Sequence, residues 1–361
     1  MKKIIKLFSP KFNNKEITAA VKTLKSSHWA SGNGKGNVEK FEREFLKYTN
    51  AKECVAVDNG TAALHLSLSL LDIKNKEILV PSFTFITTIH AVLYNGGIPI
   101  FVDIDSQTLS MDPIDMERKI GPKTKAIVNM HYGGLPNKID EIKKIAKKYA
   151  LHVVEDAAHA CGAKNKTKKI GSESELTCFS FHPVKNLAMP KGGAITINSK
   201  NAKTMKEKLN SLRWCGIDKR NDASYDITSL GYNYYMDEIS AAIGIEQLKK
   251  IDKLNKKRFS IAKKYNSNLD IQQMMPLNKN CSYHLFWIRV KNRKKFMKNM
   301  KDKGIETGSH YIPAHLTSYY KKDTVLPVTE KVANEVVTLP MHPNLTNNEV
   351  EFIIKTTNSL I

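Results

Sequence analysis

The sequence predicts an α/β protein: a large domain built on a mainly parallel sheet with helices on both faces, then a smaller α+β C-terminal domain. Three observations carry this. Seven short runs rich in apolar and β-branched residues recur at Glu53–Val57, Glu77–Val80, Ile98–Asp103, Ala126–Met130, Leu151–Glu155, Leu176–Phe181 and Gly193–Ile197. Several are separated by helix-like stretches such as Ile139–Tyr149, and near-continuous apolar strands alternating with helices imply parallel pairing buried on both faces. After Gly231 the character changes to one long helical pattern, from Asp237 to about Asn268, which leads out of the first domain.

The first run breaks at Asp58-Asn59-Gly60, before Thr61-Ala62-Ala63-Leu64-His65-Leu66-Ser67-Leu68, a segment of strong helix formers. A strand, a glycine turn and a helix N-terminus in that order suit a phosphate dianion, because unpaired N–H groups and the positive end of the dipole face it. Gly60 lets the backbone approach closely, and Thr61 adds a hydroxyl donor, although capping the helix is the commoner use of a threonine there. In such sheets ligands bind beyond the carboxyl ends of the strands. Asp58–Thr61 falls there, as do Asp156 after the fifth run and Lys185 after the sixth. Further on, Ile239, Ile243, Leu248, Ile251 and Leu254 recur at helical spacing through the long helix. A strand at Tyr283–Val290, a helix at Arg293–Lys303 and a terminal helix opened by Thr346, with Glu349 in capping-box spacing, complete the chain. The expected division is a large domain over 1–248 and a small one over 249–361.

A chain of 361 residues can bury a large core, and 41% hydrophobic with 25% charged residues is the composition of a soluble globular protein. The basic start Met1-Lys2-Lys3-Ile4-Ile5-Lys6 is followed by no apolar segment of signal-peptide length, and no run reaches membrane-spanning length, so a cytoplasmic protein is expected. The net charge of +22 comes mostly from lysines in short clusters such as Lys143-Lys144, Lys147-Lys148, Lys256-Lys257 and Lys294-Lys295, the pattern of solvated helix faces. A nucleic-acid reader concentrates arginine and stacking aromatics, and no zinc finger or RNP-like motif is present. The positive field would still draw in a diphosphate-bearing substrate. Cys54, Cys161, Cys178, Cys215 and Cys281 form no C-x-x-C pair, which argues against a zinc site or disulfide framework and for buried small hydrophobes. Ser31-Gly32-Asn33-Gly34-Lys35-Gly36 fits neither phosphate-loop pattern and is expected to be a flexible loop near the site.

Two residues then define a chemistry. Lys185, in Phe179-Ser180-Phe181-His182-Pro183-Val184-Lys185-Asn186, offers an amine that can form an imine. Asp156, in Val153-Val154-Glu155-Asp156-Ala157-Ala158-His159, offers a carboxylate that can keep a ring nitrogen protonated. These are the two anchors that pyridoxal 5'-phosphate (PLP) requires. Taken singly, Lys185 reads as a surface lysine after a proline turn and Asp156 as a helix cap. The ordered set is more specific: Asn59-Gly60-Thr61-Ala62-Ala63-Leu64, Pro81-Ser82-Phe83-Thr84-Phe85, Phe101-Val102-Asp103-Ile104-Asp105, Glu155-Asp156-Ala157-Ala158-His159, Ser180 to Asn186, and Gly231-Tyr232-Asn233-Tyr234. It resembles the DegT/DnrJ/EryC1/StrS aminotransferases, which aminate nucleotide-linked keto-sugars. The likeness runs from about Lys25 to His310-Tyr311-Ile312-Pro313-Ala314-His315 and beyond.

The resemblance implies aminotransferase fold type I with a seven-stranded sheet, PLP as cofactor, small-molecule substrates rather than nucleic acid or membrane, and a homodimer with shared active sites. It implies Lys185 as the Schiff-base lysine that also shuttles the proton, which near neutral pH requires desolvation or a neighbouring positive charge. Asp156 would pair with the pyridine nitrogen. His159 would lie against a ring face or contact Asp156, and Phe85 would stack on the other face. Gly60, Thr61, Ala62 and Ser180 would bind the cofactor around its phosphate, which Asn233 would reach from the neighbouring subunit. His310 and Tyr311 would face the substrate. By residue type alone, His159 reads as structural, Phe85 as core, and His310-Tyr311 as an ordinary loop. No metal site is expected.

The implied reaction moves an amino group from L-glutamate to a keto group of a nucleotide-linked (deoxy)hexose by a ping-pong mechanism. The alternatives are a related PLP-dependent sugar dehydratase, an aminotransferase acting on a non-nucleotide cyclic ketone, and a basic nucleic-acid-binding regulator. Retention of Lys185, where the dehydratases carry histidine, disfavours the first. Two departures from the pattern bear on substrate choice: Tyr235 stands where many relatives carry Arg, and Pro190-Lys191 where a Gly-acidic pair is common.

Overall fold

All seven apolar runs become strands of one sheet: β1 Glu53–Val57, β2 Glu77–Pro81, β3 Ile98–Val102, β4 Thr124–Met130, β5 His152–Asp156, β6 Leu176–Ser180 and β7 Gly193–Ile197. The computed structural model describes residues 4–221, 223–320 and 324–361, so the basic Met1-Lys2-Lys3 lies outside the described residues. Across the sheet the order is β1-β7-β6-β5-β4-β2-β3, and only β7 runs antiparallel to its neighbours. The carboxyl ends of β1, β2, β4, β5 and β6 therefore share one edge.

Alternation along each strand sorts side chains between two apolar layers. Val55, Val57, Ile78, Val80, Leu176 and Cys178 pack under Leu64, Leu66, Ile89 and Val92. On the opposite face Cys54, Ala56 and Phe179 pack with Phe41, Phe45, Phe181 and Ile245, while Leu79, Ile127 and Val153 meet Ile139 and Ile142. Both faces are dry, which is why the strands read as continuous apolar runs rather than alternating ones. Four of the five cysteines are buried as expected. Cys215 is the exception, exposed at a left-handed φ of 57°.

The long helix expected from Asp237 to Asn268 is two helices, Glu238–Leu248 and Ile251–Asn268. Asp237 caps the first by accepting the Ser240 N–H at 2.7 Å, and Lys250, at φ −118° and ψ 0°, leaves helical geometry between them. Helical periodicity survives such a bend, so spacing alone could not locate it. The strand expected at Tyr283–Val290 begins only at β8, Phe286–Arg289, paired antiparallel with β9, Val336–Leu339. Tyr283 sits at a φ of 48°, outside strand geometry. The terminal helix, Asn347–Asn358, opens with the expected Thr346 and Glu349 capping box.

The N-terminal segment packs with the C-terminal part of the chain: Ile5 bridges Ile305, and Ile5 and Phe8 join the cluster around Trp287, Phe286 and Val337. In the Ser31–Gly36 loop, a Cβ at Gly34, whose φ is 70°, would fall 2.2 Å from the buried Arg213 guanidinium, so the chain is closely packed at that glycine. Among the described residues no helix is long and apolar enough to cross a membrane.

Candidate active site

A cavity of about 310 Å³ opens at the carboxyl edge of the sheet and gathers most of the predicted residues: Gly60, Thr61, Phe85, Asp156, His159, Ser180, Lys185, His310 and Tyr311. A larger groove of about 600 Å³ beside the Asn14–Lys25 helix contains none of them.

The floor comes from the turn after β1. Asn59, not Thr61, caps the helix Gly60–Ser69: its Oδ1 accepts the Ala62 N–H at 2.8 Å, and its carbonyl accepts the Ala63 N–H at 3.2 Å. The Ala62 N–H is thereby engaged by Asn59, and its side chain is buried. The first-turn N–H groups of Gly60 and Thr61 are left unclaimed by the helix. Gly60 is required by contact, because a Cβ there would lie 2.8 Å from the Ser180 Cβ at the end of β6. The turn after β1 and the end of β6 approach so closely that glycine is the residue that fits between them. Lys191 braces this turn through a 2.7 Å ion pair with Asp58, so one of the departures from the family pattern has a local structural use.

Asp156 ends β5 with 3% exposure. Its Oδ2 accepts the Thr88 hydroxyl at 2.7 Å and its Oδ1 the Ala158 N–H at 3.1 Å; no helix follows, so it is not a helix cap. Burial raises its pKa above the ordinary carboxylate value, against the lowering effect of these hydrogen bonds. Thr88, on the helix Thr87–Tyr94 after β2, was not singled out from the sequence, and nothing local marks it.

Lys185 lies in the turn between β6 and β7, and burial lowers its amine to about 8, with nearby Asp156 pulling the other way. Its Nζ is 3.5 Å from Nε2 of His284, a residue the sequence reading passed over. His159 accepts the Gly133 N–H on Nδ1 at 3.2 Å and meets the Tyr311 hydroxyl through Nε2 at 2.9 Å. Both ring nitrogens are thus engaged, and neither is bonded to Asp156. Burial and the Lys185 charge hold His159 well below the ordinary histidine range. His310 bonds Thr338 Oγ1 through Nδ1 at 2.8 Å and is held at about 4 by burial and then by Lys185.

Phe85 is 54% exposed, beyond the end of β2, with its ring 5.8 Å from that of Tyr311; it is not a core residue. Phe8, also missed, stacks on His284 at 5.4 Å from the N-terminal segment. Asn233 stands apart. It is exposed, pairs through its main chain with Trp214, and lies outside the cleft of its own chain. What the cleft assembles is a half-buried amine of lowered basicity, a buried carboxylate, a helix N-terminus against a serine, and aromatic walls.

Comparison with known proteins agrees with this chemistry. Residues 11–358 match the model of the DegT/DnrJ/EryC1/StrS aminotransferase family. A protein of Methanocaldococcus jannaschii, MJ1066, itself uncharacterized, is 35% identical over 379 residues, covering 98% of this chain and 97% of its own. Helicobacter pylori PseC, an aminotransferase involved in the biosynthesis of pseudoaminic acid, superposes with a TM-score of 0.93 at 26% identity over 99% of each chain. The PLP-form of Spr1654 from Streptococcus pneumoniae gives 0.93 at 27% identity over 99% of this chain and 98% of its own. The sugar aminotransferase CalS13 from Micromonospora echinospora gives 0.91 at 27% over 99% and 100%. Matched by the family model over residues 11–358 and superposing on these structures along nearly its whole length, the chain belongs to the DegT/DnrJ/EryC1/StrS aminotransferase family.

Proposed function

We propose that this protein is a PLP-dependent aminotransferase that takes an amino group from L-glutamate and delivers it to a keto group of a nucleotide-linked (deoxy)hexose, as a cytoplasmic homodimer. The observation that carries the reading is the half-buried Lys185 amine, lowered to about 8, in one cleft with the buried Asp156 carboxylate. An amine of that basicity is neutral in roughly a tenth to a fifth of molecules near physiological pH, far more than an ordinary lysine, and the neutral form is what a nucleophile and proton carrier needs.

The residues fit the cofactor. The unclaimed N–H groups of the helix start at Gly60 and Thr61, beside Ser180 at the edge of the cleft, suit a phosphate. Lys185 would hold the aldehyde carbon, Asp156 the ring nitrogen, and Phe85 and His159 the ring faces. Bound there, PLP supplies an electron sink for the carbanion next to the transferred nitrogen. The chain's own contributions are separable. Thr88 and the Ala158 N–H keep Asp156 aimed and favour its ionised form. Lys185, when free, carries the proton. His310 and Tyr311 line the outer cleft, where the sugar would enter. Asn233, exposed and outside its own cleft, is assigned to the phosphate of a partner copy, and the division into domains over 1–248 and 249–361 belongs to the same reading.

Incubation with PLP, L-glutamate and a panel of nucleotide-linked keto-sugars, followed by mass detection, should yield a product in which a keto oxygen is replaced by an amino group. If only a cyclic ketone without a nucleotide is aminated, the acceptor assignment changes. If no acceptor on either panel is aminated, the reading is wrong.

A further inference from the structure

His284 lies just ahead of β8 and is 2% exposed. The turn that presents it is tied to the elements that build the cleft. His284 N–H donates to Gly133 O at 2.9 Å, Ser282 N–H to Gly134 O at 3.1 Å, and Ser282 Oγ to His159 O at 2.8 Å. Asn186, next to Lys185, donates its Nδ2 to Ser282 O at 2.7 Å. The imidazole thus shares a rigid frame with Lys185 and His159.

Its ring is stacked by Phe8, with planes inclined by 11°, and met by His159 at 4.3 Å. Nδ1 is buried without a hydrogen-bond partner, and the one polar neighbour of Nε2 among the described residues is Lys185 Nζ at 3.5 Å. That is the long end of hydrogen bonding. The titratable and charged groups facing the ring are Lys185, His159, Arg258 and His310, and Asp156 acts on the amine from beyond. Among the described residues no carboxylate is found acting on the imidazole, and the buried Arg258 has Nε and Nη1 without a hydrogen-bond partner among them. Burial and these cations keep the imidazole neutral, far below its ordinary range, and a neutral ring has one nitrogen free to accept.

We infer that His284 is a positioning residue for Lys185: its Nε2 accepts a hydrogen bond from the lysine amine whenever that amine is not bonded to cofactor, and holds it over the cleft. This rests on the PLP reading above and adds to it a resting place for the released amine. An acceptor favours the ammonium form, so His284 opposes the desolvation that lowers Lys185. It also removes rotamers that a long side chain would otherwise explore.

The test is capture of PLP by the full-length apoprotein, followed as growth of visible absorbance against pH, with borohydride labelling to locate the linkage. Wild type should capture PLP on Lys185 with a midpoint near 8. His284→Phe keeps the stack on Phe8 but removes the acceptor. Its midpoint should fall by about one unit, and its capture rate above both midpoints should drop roughly tenfold, because the amine is no longer held. His284→Gln, which can place an acceptor at the same point, should restore both. Wild-type midpoint and rate in His284→Phe, with normal labelling of Lys185, would overturn the inference and leave the PLP reading intact. Absence of labelling in wild type would instead remove the PLP reading. If His284→Phe does not fold, His284→Asn, whose shorter side chain cannot reach, replaces it, and wild-type behaviour there overturns the inference equally.

Discussion

The Thr88 hydroxyl is 2.7 Å from Asp156 Oδ2, and it joins a helix that follows β2 to a carboxylate at the end of β5. Burial raises the Asp156 pKa and this hydrogen bond lowers it, so the residue is balanced between two opposed effects. Thr88→Val removes the lowering effect at nearly constant volume. Asp156 should then hold its proton to higher pH, and the acid limb of kcat/KM should move upward by about one unit, worth roughly 1.4 kcal/mol. An unmoved limb would show that Thr88 does not tune Asp156.

Replacing Lys185 with alanine should abolish the absorbance of lysine-linked PLP and lower turnover by roughly a thousandfold or more. Stopped assays with the sugar panel and a spectrum of the reconstituted protein check both. A Lys185→Ala protein with full activity would remove the mechanism.

The lowered Lys185 also affects stability. Its amine titrates near 8 in the folded apoprotein and near 10.5 in the unfolded chain, so between those values the unfolded state binds more protons and stability rises with pH. Below 8 the folded state must bury a charge, at a cost of about 3 kcal/mol. Lys185→Met apoprotein should accordingly exceed wild type in stability at pH 7 by an amount of that order, and the gap should close as pH approaches 10. Urea melts at the two pH values measure it; a gap independent of pH would contradict the assignment.

Asn233→Ala should weaken PLP retention if it acts across a dimer. Mixed with Lys185→Ala and allowed to exchange subunits, it should regain up to about one quarter of wild-type activity, because half the dimers would be mixed and one site in each would be whole. Absence of rescue from two inactive parents would place Asn233 on its own chain's side.

The seven strands, the helix after Asn59 and the capping box at Thr346 were legible because each is written in residues adjacent in sequence. Backbone propensity, the alternation of side chains and capping geometry act over a few positions, and Lys185 and Asp156 could be placed at strand ends on those grounds. The break at Lys250 and the late start of β8 were not legible, since neither disturbs the apolar spacing. Nor was the identity of the helix cap, because Asn59 and Thr61 are both suitable residue types and only the fold assigns the bond.

By itself the sequence determined the sheet, the chemistry of its two anchors and the family pattern. Tertiary structure alone decided their surroundings: Thr88 on Asp156, Lys191 on Asp58, and Phe8 and His284 closing over Lys185 from opposite ends of the chain. These contacts join segments tens to hundreds of residues apart. Their partners are chosen by packing and by the need to satisfy buried polar groups, and neither can be read from residues that are neighbours only in order.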